Sequence, residues 1–118
     1  MHVKECSYKV GYSKKVRESC DYIDLHIREN MRLTDVAKNV ELNPEYLSRL
    51  FKRETGMSVL DYIRNKKIEE ARFQIRHNTD SLTDIAFQLG YTSQGRFIED
   101  FKKVTGELPS QFMEKNRN

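Results

Sequence analysis

The chain has 118 residues, 37% of them apolar and 33% charged, and a net charge of +3. That composition suits one domain, or two very small ones sharing a core, leaves little room for a deep active-site cavity, and favours a polyanion partner without demanding one. Cys6 and Cys20, fourteen residues apart, fit neither a disulfide framework nor a zinc site, and there is neither a membrane-length apolar run nor a signal-peptide pattern, so a cytoplasmic protein with reduced thiols and no cofactor or metal is expected.

Residues 1–12 have no period and read as a tail or the end of a linker. Ser13 is placed to cap a helix that begins at Lys14. Val16, Cys20, Ile23 and Ile27 share one of its faces, Tyr22 and Leu25 flank them, and the helix is expected to fray near Glu29 and Asn30. A short helix over 33–40 places Leu33, Val36, Ala37 and Val40 on one side. After the break at Glu41-Leu42-Asn43, Asn43 caps and Pro44 opens a helix to Thr55, with Leu47, Leu50, Phe51 and Glu54 inward. Gly56 is its expected left-handed terminator.

Ser58-Val59-Leu60-Asp61 has the form of a capping box and predicts a long helix to about His77. Its inner stripe is read as Leu60, Ile63, Lys67, Ala71 and Ile75, with Ile68 beside it. Ser81-Leu82-Thr83-Asp84 is a second box of the same kind, for a helix over 82–89 with Leu82, Ile85, Ala86 and Leu89 inward and Gly90 at its end. Tyr91 takes the apolar place that Leu42 fills earlier. Ser93 caps a helix to Val104 with Phe97, Phe101 and Val104 inward and Ile98 flanking, and Gly106 closes it. Pro109 starts a last short helix carrying Phe112 and Met113. No strand pattern occurs, so the fold class is all-α, with about seven helices.

Part of this order is written twice. Leu33-Thr34-Asp35-Val36-Ala37 returns 49 residues later as Leu82-Thr83-Asp84-Ile85-Ala86, and Phe51-Lys52-Arg53-Glu54-Thr55-Gly56 returns 50 residues later as Phe101-Lys102-Lys103-Val104-Thr105-Gly106. A repeat of this period is one supersecondary unit used twice. Each copy is a short helix, a tight break and a second helix, with the small Ala37 or Ala86 where two helices of a helix-turn-helix cross closely. An ordinary αα-corner is the plain alternative for one copy. Two copies joined by a helix of roughly 30 Å match the ~34 Å return of a major groove, so two recognition helices are expected in consecutive major grooves of double-stranded DNA.

The outward residues of the second helices are Glu45, Tyr46, Ser48, Arg49, Lys52 and Arg53 in the first copy. In the second they are Gln94, Gly95, Arg96, Glu99, Asp100, Lys102 and Lys103. Arg suits guanine O6 and N7, Gln suits adenine, and Glu accepts from cytosine N4. Ser, Tyr and Lys more often hold phosphates. Arg49 and Arg96 lie in the first two turns, where base contacts concentrate. A solvated helix face is the plain alternative for each of these residues.

Ile85-Ala86, Gly90-Tyr91, Ser93, Phe97, Phe101-Lys102-Lys103, Gly106, Pro109 and Phe112 stand in the order and spacing of a known signature. With Ala37, Leu42, 46–52, Gly56 and 68–71, the chain resembles the DNA-binding domain of the AraC/XylS family of bacterial transcription regulators. The resemblance implies two helix-turn-helix subdomains joined by a long central helix, binding to about two turns of DNA, and activation of transcription through RNA polymerase. It implies a monomeric isolated domain. It divides the chain into a tail at 1–12 and a domain at 13–118, made of a first subdomain (13–57), a linker helix (58–78) and a second subdomain (79–118). Carried over by position, base-reading places fall on Glu45, Tyr46, Ser48 and Arg49, and on Gln94, Gly95, Arg96 and Glu99. Asn43, Lys52, Arg53, Ser93, Lys102 and Lys103 are expected on phosphates.

Four departures matter. Glu99 and Asp100 together are expected to repel phosphates and weaken the second unit, and Gly95 has no side chain to read with. Lys67 and Met113 stand where the family often has Arg, which is expected to weaken structural pairings. Most members carry a sensing or receiver domain ahead of this one, so the linker-like start favours an output domain of a longer regulator. An enzyme is disfavoured: His2, His26 and His77 are scattered, no Cys/His pair has ligand spacing, there is no Gly-rich phosphate loop, and Glu69 and Glu70 do not converge. A helical protein-interaction adaptor that does not read DNA is the alternative, favoured by the acidic Glu99 and Asp100. Steep salt dependence of DNA affinity separates the two.

Overall fold

The structure, a computed structural model, describes residues 11–117. Residues 1–10 of the expected tail, with Cys6, lie outside the described residues. Among the described residues there are seven α-helices and no strand: α1 (Lys14–Leu25), α2 (Leu33–Asn39), α3 (Pro44–Thr55), α4 (Val59–His77), α5 (Leu82–Gln88), α6 (Gln94–Thr105) and α7 (Pro109–Asn116). The chain packs as two compact units. Among the described residues, one holds 11–26 with Met31–Tyr62, and the other holds Ile27–Asn30 with 63–117.

In the first unit α1, α2 and α3 pack against one another. Val16, Cys20 and Ile23 of α1, Val36 and Ala37 of α2, and Leu47, Leu50 and Phe51 of α3 are buried, as their spacing predicts. Phe51 meets Tyr62 edge-on at 5.4 Å. The helix start at Lys14 is as expected, but Ser13 makes no side-chain cap bond. Its backbone N–H instead donates to Glu54 Oε1 at 2.8 Å, which ties the start of α1 to α3. Leu60 is a correction: it is 52% exposed, and Val59 takes the buried place. The reason is register. Positions 59, 63, 67, 71 and 75 recur every four residues on one helical stripe, and Leu60 sits about 100° off it.

In the second unit Ile68, Ala71 and Ile75 of α4 share a core with Ile85, Ala86, Leu89, Phe97, Phe101 and Phe112. Phe97 and Phe101 meet edge-on, and so do Phe101 and Phe112. The segment after α1 belongs to this unit, and a second correction falls beside it. α1 ends at Leu25 rather than near Glu29. Lys67 Nζ donates to Ile27 O at 2.6 Å, to Glu29 O at 2.7 Å and to Leu89 O. The turn beyond His26 offers the carbonyls of Ile27 and Glu29 to this ammonium. The expected weakening at Lys67 is therefore not what its contacts display. Its three donors meet three acceptors, and burial pushes the ammonium down to about 8, with the Glu29 carboxylate opposing. Gly90 completes this corner. Its φ is +83°, and a Cβ there would stand 2.5 Å from Glu29 C and 2.7 Å from Asn30 N.

Candidate nucleic-acid interface

Each unit presents a capped second helix with an apolar inner side and a polar outer one. In α3 the cap is Asn43, whose Oδ1 accepts from the N–H groups of Glu45 at 2.9 Å and Tyr46 at 3.2 Å. That fixes the first turn, where reading residues are expected. With Leu47, Leu50 and Phe51 buried, Glu45, Tyr46, Arg49, Lys52 and Arg53 are exposed and Ser48 is half-buried. Three cations against one carboxylate leave this face at +2.

In α6 the cap is Ser93, whose Oγ accepts from Arg96 N–H at 3.2 Å. Gln94, Gly95, Arg96, Glu99, Lys102 and Lys103 are all exposed. Gln94 is partly held, because Thr83 Oγ1 donates to its Oε1 at 3.3 Å across the break from α5. Its amide N–H groups remain the end that points away from that bond.

Asp100 corrects the reading of this face. It is buried, 9% exposed, not outward. Tyr91 donates its hydroxyl to Asp100 Oδ2 at 2.8 Å. Oδ1 pairs with Arg64 Nε of α4 and with Arg96 Nε, each at 3.4 Å. Burial pushes the Tyr91 phenol's acidity down, and the bond to Asp100 adds to this, so the hydroxyl stays a donor. With Asp100 withdrawn, Glu99 is the single carboxylate among the six exposed residues of α6 named above, and that face also stands at +2. The paired repulsion expected from Glu99 and Asp100 is thus reduced to one charge. Reading residues one by one missed this, but the repeat held the signal: the 50-residue offset lays Asp100 on Leu50, which is buried at 8% exposure.

The same offset lays Ser93 on Asn43, Lys102 on Lys52 and Lys103 on Arg53, while Arg96 falls on Tyr46 and Glu99 on Arg49. The capping and basic positions agree between copies, and the first-turn positions differ. The structure thus brings the expected site residues onto two separate helical faces, one in each unit. Among the described residues no helix is long and apolar enough to cross a membrane.

Residues 36–115 match a family model described as a helix-turn-helix domain. The chain is 34% identical over 99 residues to the arabinose operon regulatory protein of Escherichia coli K12, covering 83% of this chain and 34% of that protein. The C-terminal domain of AraT, a response regulator from Geobacillus stearothermophilus, superposes with a TM-score of 0.86 at 30% identity, covering 89% of this chain and 88% of that one. The DNA-binding domain of AdpA, solved in complex with a target DNA, superposes with a TM-score of 0.83 at 18% identity, covering 89% and 95%, and so shares the fold. The chain spans 13% of the length of the Staphylococcus aureus HTH-type transcriptional regulator to which it is 32% identical over 98 residues.

Proposed function

This chain belongs to the AraC-type family of helix-turn-helix DNA-binding domains of transcription regulators, and from that premise we propose that it reads double-stranded DNA with two surfaces, the outer faces of α3 and α6. Arg49 and Arg96 are the guanine readers, with Glu45, Tyr46, Ser48, Gln94 and Glu99 on neighbouring bases and Gly95 allowing close approach of the backbone. Lys52, Arg53, Lys102 and Lys103 hold phosphates, and Asn43 and Ser93 add contacts from the two caps. The observation that carries this reading is that both units offer the same construction, a side-chain-capped helix with a +2 outer face. The 19 residues of α4 span about 28 Å, which supports boxes in consecutive major grooves.

Residues 13–118 form the DNA-binding domain, with 13–57 as first subdomain, 58–78 as linker helix and 79–118 as second. It is the output domain of a longer, cytoplasmic bacterial regulator, monomeric by itself, and it activates transcription through contact with RNA polymerase. The response-regulator origin of the AraT domain and the much greater length of the regulators it resembles support that placing. The adaptor reading loses its footing, because the acidic pair that favoured it is split by the burial of Asp100.

The test is selection of bound sequences from a random DNA pool, then affinity of the selected site against salt. Two boxes are expected. Four phosphate-holding cations at about 0.9 each give a log–log slope of about −4. A slope near zero, or a pool that never enriches, refutes the reading and restores the adaptor.

A further inference from the structure

Asp100 is a carboxylate buried on the very helix assigned to DNA, in a place that the other copy fills with Leu50. The first copy fills that place with an apolar residue, so the helix-turn-helix construction does not itself demand a charge there. We propose that Asp100 is a positioning residue that sets Arg96 to read guanine; this rests on the assignment of α6 to base reading. Arg96 lies one turn before Asp100, and its side chain is 64% exposed. Nε pairs with Oδ1, which leaves the two terminal nitrogens for the fork that matches guanine O6 and N7.

Asp100 is itself held from two other directions. Tyr91 fixes Oδ2 by a hydrogen bond, and Arg64 pairs with Oδ1. The carboxylate therefore cannot swing toward DNA. With two guanidiniums around it, the cluster keeps a charge of +1, so it does not repel phosphates as an exposed aspartate does. Ordering a long side chain before binding removes part of the entropic cost of the contact. Arg49 of α3 differs in sequence: the residue one turn after it is Arg53, not a carboxylate. The two units thus differ, with a carboxylate one turn beyond the arginine in one and a guanidinium in the other.

The experiment compares the full chain with Arg96→Ala and Asp100→Asn, using the selected DNA, every single base substitution in the second box, and non-specific DNA at the same salt. Asparagine keeps the shape and an acceptor for Tyr91 but loses the charge. The expected result is that both variants lose tenfold or more discrimination at one shared G·C pair. Asp100→Asn is also expected to hold or gain affinity for non-specific DNA, since a negative charge is gone. A purely structural role does not move base preference in that pattern. Full discrimination in Asp100→Asn beside a loss in Arg96→Ala overturns the positioning role alone. Full discrimination in Arg96→Ala overturns it together with the α6 reading. Should Asp100→Asn not fold, side-chain relaxation in the unmodified protein decides: Arg96 Nε–H is expected to be more rigid than that of Arg49, and equal mobility overturns the proposal.

Discussion

Gly90→Ala is the substitution with the most to lose. Two costs add at this position. The first is conformational: φ is +83°, a region where an L side chain costs about 1–2 kcal/mol. The second is steric. An added Cβ stands 2.5 Å from Glu29 C, 2.7 Å from Asn30 N and 2.8 Å from Glu29 O, all of them backbone atoms. That backbone has little freedom to retreat, because Glu29 O accepts from Lys67 Nζ at 2.7 Å. Overpacking of this kind costs about 1–3 kcal/mol more. The structure supplies its own controls. Gly106, in the same unit, has φ +86°, and Gly56, in the other, has φ +84°, yet a Cβ at either meets nothing within 4 Å. Alanine there carries the conformational cost alone, reduced by about 0.4–1 kcal/mol through the stiffer unfolded chain. The expected order is Gly90→Ala well below Gly106→Ala and Gly56→Ala, by about 2 kcal/mol, in urea unfolding followed by circular dichroism. Amide exchange in α5 and α6 keeps the measurement local to the second unit. A Gly90→Ala protein as stable as Gly106→Ala refutes the close approach of the 27–30 segment.

Three further outcomes are expected. Arg49→Ala costs about 1–3 kcal/mol on the selected site and relaxes preference at one base, whereas uniform weakening on all sequences makes Arg49 a phosphate anchor. Ala86→Leu overpacks the crossing of α5 and α6, where Ala86 is 4% exposed, and costs about 1–3 kcal/mol; an unchanged melting temperature shows that the crossing is not close. Lys67 makes stability depend on pH with an unusual sign. Its folded-state value is about 8, below the ordinary 10.5, so between those limits the unfolded chain binds more protons and stability rises with pH. Measured against Lys67→Arg, which stays charged, the wild-type advantage is expected to grow between pH 8 and 10.5 by at most about 3 kcal/mol. Three carbonyl acceptors suit the ammonium better than the amine and hold the rise below that ceiling. A pH-independent difference between the two proteins refutes the account of Lys67.

The helices were legible because their ends are written locally. Asn43 with Pro44, Ser81, Ser93, and the glycines at 56, 90 and 106 mark boundaries through bonds and dihedrals that involve only near neighbours. The end of α1 was not legible in that way, since the turn that follows it meets Lys67, some 40 residues away. Leu60 was misplaced for a smaller reason: Val59 and Leu60 are both apolar, and only the register of α4 decides between them. The outer faces of α3 and α6 followed from the same periodicity that placed the cores. Asp100 escaped because a charged residue on an amphipathic helix is ordinarily exposed. Its burial depends on Tyr91 and Arg64, which arrive from elsewhere in the chain.

The two copies show how such a charge can be admitted. Where the first has Leu42 and Leu50, the second has Tyr91 and Asp100. A half-buried tyrosine hydroxyl calls for an acceptor, and a buried aspartate calls for donors, so either change alone is costly and the two together are compatible. This makes the pair testable as a unit. Asp100→Leu alone strips the Tyr91 hydroxyl of its acceptor and is expected to cost about 1–3 kcal/mol. Adding Tyr91→Leu removes the stranded hydroxyl and restores the apolar pairing of the first copy, so the double variant is expected to regain at least 1 kcal/mol over the single. If the two losses simply add, Tyr91 and Asp100 are independent, and the divergence of the copies needs another cause. If the double variant is stable yet binds the second box without preference for its G·C pair, the fold and the reading part company at Asp100. The fold then accepts leucine there, and only the orientation of Arg96 requires the carboxylate.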